Sequence, residues 1–227
     1  MSVSQPFSLA VLISGNGSNL QAIIDAIQNK KLDASIKLVI SNRADAKGLK
    51  RAEAAGIPTL LIEHTQYSSR EEFDQAMLDA LKACRPDLVV LAGFMRILSA
   101  QFVSALSGKL INIHPSLLPR YKGTQTHKRA LEAHDSVHGC SIHYVTEELD
   151  GGPVVAQSEV PIYPNDTEQL LAARVQKEEH QLYPFCIGLI AQTKLELIDG
   201  APVLNKQLLT SGGIKFRQSN YDRYYLE

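Results

Sequence analysis

Near-continuous apolar runs, each followed by a stretch with helical periodicity, constrain this chain more than any other feature. Phe7–Ile13 is apolar almost throughout and ends in Ser14-Gly15-Asn16-Gly17, the pattern of a strand buried on both faces just before its turn. Leu20, Ile23, Ile24 and Ile27 then fall at i, i+3, i+4 and i+7, one apolar face of a helix, with Ser18 at the expected N-cap. The alternation repeats. Ile36–Ser41 reads as a second strand, followed by a helix from about Asp45 that stops at Gly56, and Thr59–Ile62 as a third strand. Ser69-x-x-Glu72 resembles a capping box opening a helix that reaches Ala83. Asp87–Ala92 is a fourth strand, Ala100–Leu106 a short helix and Leu110–Ile113 a fifth strand. Strands and helices alternating at this spacing predict an α/β fold with a doubly wound, mostly parallel, Rossmann-like sheet.

Beyond His114 the pattern changes. Pro115, Pro119 and Gly123 punctuate a loop, a helix is expected near Thr126–Ala133, and two β-rich stretches follow, His138–Val145 and Val154–Ile162. The turn sequence Asp150-Gly151-Gly152-Pro153 joins them, so they should add antiparallel strands. A long helix, about Thr167–Ile190, is expected to close the fold with Leu171, Val175 and Leu182 inward. Residues 1–204 read as one domain, and 205–227 as a polar C-terminal tail, partly disordered.

Composition narrows the function classes. The chain has 227 residues, 44% hydrophobic and 21% charged, with a net charge of −1. It lacks the basic footprint of a nucleic-acid binder. With no tryptophan and 6% aromatics, a stacking surface for single strands is not expected. No apolar run approaches the ~18 residues of a membrane span, and Met1–Leu9 does not read as a secretory signal. The three cysteines, Cys84, Cys140 and Cys186, form no Cys-x-x-Cys pair and are expected as free thiols in a reducing cytosol.

Two sequence clusters carry chemistry. Ser14-Gly15-Asn16-Gly17-Ser18-Asn19-Leu20 stands where a first strand feeds a first helix, a place whose backbone N–H groups favour an anion. Leu20 replaces the third glycine of the dinucleotide fingerprint, and Asn42-Arg43 stands where that fold wants an acid, so neither nicotinamide nor flavin is expected. A small monophosphate on Gly17, Ser18 and Asn19 fits better; a tight turn with no ligand is the other reading. The second cluster is Asn112-Ile113-His114-Pro115-Ser116, at the carboxyl end of a strand. Alternation puts Asn112 and His114 on one side, where an amide and an imidazole can aim at one carbonyl oxygen. No Gly-x-Ser-x-Gly elbow is present, which favours direct transfer without an acyl-enzyme. The seven histidines give no metal-ligand spacing. His138 and Cys140 alternate against His143, and no His-Glu-x-x-His occurs, so no metal is expected.

With the glycine loop, Gly93-Phe94-Met95-Arg96-Ile97-Leu98, Asn112-Ile113-His114-Pro115-Ser116-Leu117-Leu118-Pro119 and Leu149-Asp150-Gly151-Gly152-Pro153 all in order, the chain closely resembles the phosphoribosylglycinamide formyltransferases. The similarity runs from about Ser8 to Leu197. Formyl-folate enzymes in general share the Asn-x-His and Asp-Gly-Gly elements, and the phosphate loop chooses among them. Methionyl-tRNA formyltransferases lack Gly-Asn-Gly-Ser-Asn and carry an extra C-terminal domain. Formyltetrahydrofolate deformylases differ in the first turn and add an N-terminal regulatory domain.

The resemblance implies a formyltransferase fold with the ribonucleotide phosphate site in the N-terminal half and the folate site in the C-terminal half. It also implies Asn112, His114 and Asp150 as the catalytic set. It assigns Gly17, Ser18, Asn19, Gln176, Lys177, Glu178 and Glu179 to glycinamide ribonucleotide. It assigns Arg70, Met95, Arg96, Ile97, Leu98, Asn112, Thr146, Glu147, Glu148, Leu149 and Asp150 to folate. By their residue types alone, Met95, Ile97 and Leu98 would be packing and Glu179 a solvated helix face. The implied reaction moves the formyl group of 10-formyltetrahydrofolate, as co-substrate, to the amine of glycinamide ribonucleotide in purine synthesis. It takes place in the cytoplasm, with no nucleic-acid or membrane partner, in a monomer or homodimer. A formyltetrahydrofolate hydrolase and a non-catalytic folate- or phosphate-binding module are the rival readings.

Overall fold

A computed structural model describes residues 6–217 of the chain, which divide between Ile111 and Asn112 into two compact units. The last ten residues of the expected tail lie outside the described residues.

In the first unit, β1 (Phe7–Ile13), α1 (Ser18–Gln28), β2 (Ala34–Ser41), α2 (Lys47–Ala54), β3 (Thr59–Leu61), α3 (Arg70–Cys84), β4 (Leu88–Leu91) and α4 (Ala100–Ala105) follow the expected alternation. The four strands run parallel in the order β3-β2-β1-β4. Leu9–Ile13 and Val90 are fully buried, as strands covered on both faces must be. The chain starts in the middle, steps outward to β3, then returns to the other side of β1. The sheet therefore has its topological switch between β1 and β4, and the carboxyl ends of those two strands flank the crevice where such folds bind ligands. Ser69 caps α3 by accepting from the Glu72 amide at 3.1 Å, and the Glu72 carboxylate accepts from the Ser68 amide, also at 3.1 Å. The start of α1 differs from expectation: the N-cap is Gly17, at φ 72°, and Ser18 is the first helical residue.

The second unit opens with the last residues of β5 (Leu110–His114) and continues with α5 (Thr126–Glu132), β6 (Val137–Tyr144), β7 (Val154–Pro161) and α6 (Glu168–Ala191). Strands β6 and β7 pair antiparallel. Helix α6 packs on both of them, with Leu171, Val175 and Leu182 buried. Its N-cap, Thr167, accepts from the Leu170 amide at 3.2 Å. Sequence reading missed the hairpin β8 (Leu195–Ile198) and β9 (Ala201–Leu204). Within the segment expected as a tail, β10 (Gln207–Leu208) extends that hairpin and β11 (Ile214–Phe216) pairs parallel to β7. Ile214 and Phe216 are buried, and the Phe216 ring lies 4.9 Å from that of Phe185 on α6. Two apolar side chains in a three-residue strand are enough to anchor this segment, although its polar composition concealed them.

Candidate active site

In the first unit the crevice is bordered by the turn after β1 and the turn after β4. One hydroxyl ties them together: Ser14 Oγ donates to Asn42 Oδ1 at 2.6 Å and accepts from the Met95 amide at 2.8 Å. The glycine loop is pressed against the start of α2. The Gly48 amide donates to the Gly15 carbonyl at 3.1 Å, and a methyl group placed on Gly17 would lie 2.6 Å from the Gly48 Cα. Gly17 also needs its left-handed φ, so both conformation and contact require glycine there. Arg51 of α2 grips the loop from outside, its Nε donating to the Asn16 carbonyl at 2.8 Å. Gly17 and Asn19 are buried, Ser18 half-buried, at the positive end of an 11-residue helix. Across the turn after β4, Met95 and Ile97 are 75% and 58% exposed. Large apolar side chains held out in this way suit a ligand's flat face better than packing. Arg96 and Arg70 are exposed, and Leu98 is half-buried.

In the second unit, Asn112 and His114 do project to one side, as alternation requires, with Ile113 buried between them. Asp150 meets them from the turn after β6. Its Oδ2 lies 3.3 Å from His114 Nδ1, and its side chain is 9% exposed. Asp150 has φ 47°, a left-handed conformation that Asp tolerates better than most residues. A side chain on Gly152 would collide with the Tyr144 carbonyl, so this turn can close on β6 only with glycine.

Three contributors to this cluster were not foreseen. His143, taken only as a strand residue in weighing metal ligands, stands between Asn112 and Asp150. Its Nε2 is 3.2 Å from Asn112 Nδ2 and 3.7 Å from Asp150 Oδ1. Its Nδ1 lies 2.9 Å from the Tyr144 carbonyl, which must accept. His143 Nε2 is then the acceptor for the Asn112 amide. This fixes the orientation of Asn112 and leaves its second N–H available. The other two contributors are backbone groups: the Tyr121 carbonyl, 2.9 Å from His114 Nε2, and the Gly123 amide, which donates to Asp150 Oδ2 at 2.9 Å. The opposite parity of His143 to His138 and Cys140 was the available signal for the first. Backbone groups leave none.

The electrostatics are set by burial. Desolvation lowers the His114 pKa below its ordinary value, against the pull of the Tyr121 carbonyl and Asp150, which raise it. Burial thus outweighs the neighbouring carboxylate. Burial pushes Asp150 up, but the neighbouring histidines, His143 and His114, and the donating Gly123 amide leave it below the usual carboxylate range. Both ring nitrogens of His114 nonetheless face acceptors, an arrangement that only the doubly protonated ring satisfies.

The remaining candidate residues are placed as follows. Thr146, Glu147, Glu148 and Leu149 are exposed on the turn before Asp150, and Glu148 pairs with Lys122 at 2.6 Å. On α6, Gln176 and Lys177 are exposed. Glu178 turns to β7 and accepts the Ser158 hydroxyl at 2.6 Å. Glu179 is 8% exposed, so it is not the solvated face its residue type suggests. A cavity of about 330 Å³ lies against Asp150–Val154, walled by Leu118, Pro119, Lys122 and, from the C-terminal segment, Leu209–Ser211. Among the described residues, no group of three or more His, Cys, Asp or Glu could hold a metal ion, and no helix is long and apolar enough to cross a membrane.

The formyl transferase family profile matches residues 7–187, which include the glycine loop, the Asn112–His114 strand and the Asp150 turn. The chain belongs to the formyl transferase family. It is 50% identical over 206 residues to the phosphoribosylglycinamide formyltransferase of Escherichia coli, covering 91% of this chain and 97% of that protein. It is 48% identical over 189 residues to the human trifunctional purine biosynthetic protein adenosine-3, of which it spans 19%. Among solved structures, the phosphoribosylglycinamide formyltransferase of Coxiella burnetii superimposes with a TM-score of 0.90 at 48% identity, covering 93% of this chain and all of that one. The family's α/β architecture, a mostly parallel sheet with added antiparallel strands and a long helix, is the one described above.

Proposed function

We propose that this chain is a phosphoribosylglycinamide formyltransferase. It transfers the formyl group of 10-formyltetrahydrofolate to the amine of glycinamide ribonucleotide, giving formylglycinamide ribonucleotide and tetrahydrofolate in purine synthesis. The observation that carries the reading is the run Asn112–His143–Asp150–His114, buried or half-buried and linked at 3.2 to 3.7 Å. It offers an amide N–H, an imidazole and a carboxylate, and Asn112, His114 and Asp150 are read as the catalytic set. Identity of 50% across 97% of a relative that bears this name supports the choice of acceptor.

In this mechanism the glycinamide amine attacks the formyl carbon carried on folate N10, and the carbonyl oxygen becomes an oxyanion. The Asn112 amide and protonated His114 donate to it. Donors placed in this way contribute about 3 kcal/mol each to transition-state stabilisation. The oxyanion takes the place of the Tyr121 carbonyl at His114 Nε2, exchanging a neutral acceptor for a charged one. Asp150 holds the imidazolium against the burial that lowers its pKa. As the new C–N bond forms and the bond to N10 breaks, the proton lost by the amine is taken up at N10. Gly17, Ser18 and Asn19 hold the ribonucleotide phosphate at the α1 entrance, with Gln176, Lys177, Glu178 and Glu179 on the ribonucleotide side. Arg70, Met95, Arg96, Ile97, Leu98 and residues 146–150 receive folate. The reaction belongs in the cytosol, where Cys84, Cys140 and Cys186 stay reduced.

The test is the rate of tetrahydrofolate release from 10-formyltetrahydrofolate with and without glycinamide ribonucleotide. Release only with the amine supports the assignment; equal release without it makes the chain a hydrolase; binding without release makes it a binding module.

A further inference from the structure

The segment that follows His114 is held by a buried polar clasp that the mechanism above does not use. Ser141 of β6, fully buried, donates its hydroxyl to the Ser116 carbonyl at 2.6 Å and accepts from the Leu118 amide at 3.0 Å. Gln157 of β7, 3% exposed, donates through Nε2 to the Leu118 carbonyl at 2.8 Å and to Ser141 Oγ at 2.9 Å. Its Oε1 accepts from Lys215 Nζ at 2.8 Å. The orientation of this amide is set by its neighbours: an ammonium can only donate and a carbonyl can only accept, so the oxygen must face Lys215 and the nitrogen the loop. Lys215 belongs to β11, whose pairing with Ala156–Ser158 puts it beside Gln157. The Ser116 amide bonds the His114 carbonyl at 2.8 Å, so the gripped residues begin two positions from the imidazole.

We infer that Gln157 is a positioning residue for formyl transfer. Its amide, oriented by Lys215 from the C-terminal strand, clamps the base of the His114 loop and thereby fixes the imidazole against Asp150. The clasp holds Ser116 and Leu118 and leaves the Tyr121 carbonyl outside its grip, so the base of the loop stays fixed while that carbonyl yields to substrate. Gln157, Ser141 and Lys215 are not among the residues assigned to either substrate, so their loss is expected in the chemical step rather than in binding. Shifts of about 1 Å in a reacting group cost up to about 100-fold in rate. This inference rests on the formyltransferase reading.

The experiment measures kcat and KM for both substrates in the full chain bearing Gln157→Leu, Lys215→Met or Lys215→Arg, with tetrahydrofolate binding and thermal midpoint measured alongside. In Gln157→Leu, kcat falls about tenfold or more, while both KM values and tetrahydrofolate affinity hold. Lys215→Met falls less, and Lys215→Arg, which keeps a donor at Gln157 Oε1, stays near the parent. If Gln157→Leu does not fold, Lys215→Met decides the matter, because its side chain is 59% exposed. An unchanged kcat in folded Gln157→Leu, or in Lys215→Met where Gln157→Leu does not fold, overturns the inference. So does a loss that Lys215→Arg shares equally with Lys215→Met, or one in which kcat and thermal midpoint fall while both KM values rise together, as for a purely structural role. A parent chain that forms no formylated ribonucleotide instead overturns the underlying reading.

Discussion

Acid should loosen the second unit at one identifiable place. His138 is 1% exposed, and its Nε2 lies 3.2 Å from His127 Nδ1. At that distance one nitrogen carries a proton and the other accepts, so the pair suits two neutral rings. Burial first, and the like charge of His127 second, pull the His138 pKa from 6.5 to about 4, while Asp135 and the Pro115 carbonyl pull the other way. His127 is lowered too, mainly by burial. Because the folded value lies below the unfolded one, the unfolded chain takes up the proton first. The stabilisation is complete above the unfolded pKa and is lost as pH falls from about 6.5 towards 4. At ~1.4 kcal/mol per unit the full shift is worth about 3 kcal/mol, of which about 2 kcal/mol is gone between pH 7 and 5. His138→Gln, which cannot titrate, should flatten that part of the profile. The assay is urea unfolding of parent and variant at pH 7 and 5, with amide exchange of Thr126–Glu132 as a local probe. A parent chain as stable at pH 5 as at pH 7, or a variant that loses as much as the parent, refutes the argument.

Three further outcomes follow from the same geometry. Asp150→Asn should lose about 100-fold or more in kcat with folate binding preserved, and the double variant with His114→Ala should be little worse than either single one, because the pair acts as a unit. Losses that multiply would dissolve that coupling. An acceptor lacking the ribose phosphate should show a much higher KM at unchanged folate KM, and equal kinetics would remove the phosphate from Gly17–Asn19. Gly48→Ala, whose methyl group would meet Ile13 Cδ1 at 2.5 Å and Gly17 Cα at 3.2 Å, should displace the glycine loop and raise the acceptor KM more than the folate KM. Equal effects on both would mean that the loop does not serve the acceptor alone.

Much of the fold was legible because buried parallel strands and amphipathic helices have unmistakable periods. Leu9–Ile13 and Leu20-x-x-Ile23-Ile24 left little choice, and the Ser69/Glu72 box marked its helix start directly. The hairpin β8–β9 and strand β11 were missed because short, partly exposed strands carry too few apolar positions to show alternation. In the cluster, Asn112, His114 and Asp150 stood out as side chains in distinctive surroundings. The Tyr121 carbonyl and Gly123 amide could not, since every residue carries those groups and only tertiary contacts select them. Nothing in the stretch Val154–Ile162 marks Gln157, because the lysine that bonds its side chain lies 58 residues later. The net direction of the His114 pKa also needed the structure, because burial and a neighbouring carboxylate act in opposite directions and sequence reveals only the second.

Direct transfer from folate to an amine can be followed at the carbon itself. With 10-formyltetrahydrofolate carrying a 13C-formyl group and glycinamide ribonucleotide in excess, the label can be followed by NMR at pH 7. It should pass into the new amide of formylglycinamide ribonucleotide, one for each tetrahydrofolate released, with no formate signal above the enzyme-free control. Label accumulating as formate in step with tetrahydrofolate, whether or not the ribonucleotide is present, would contradict it.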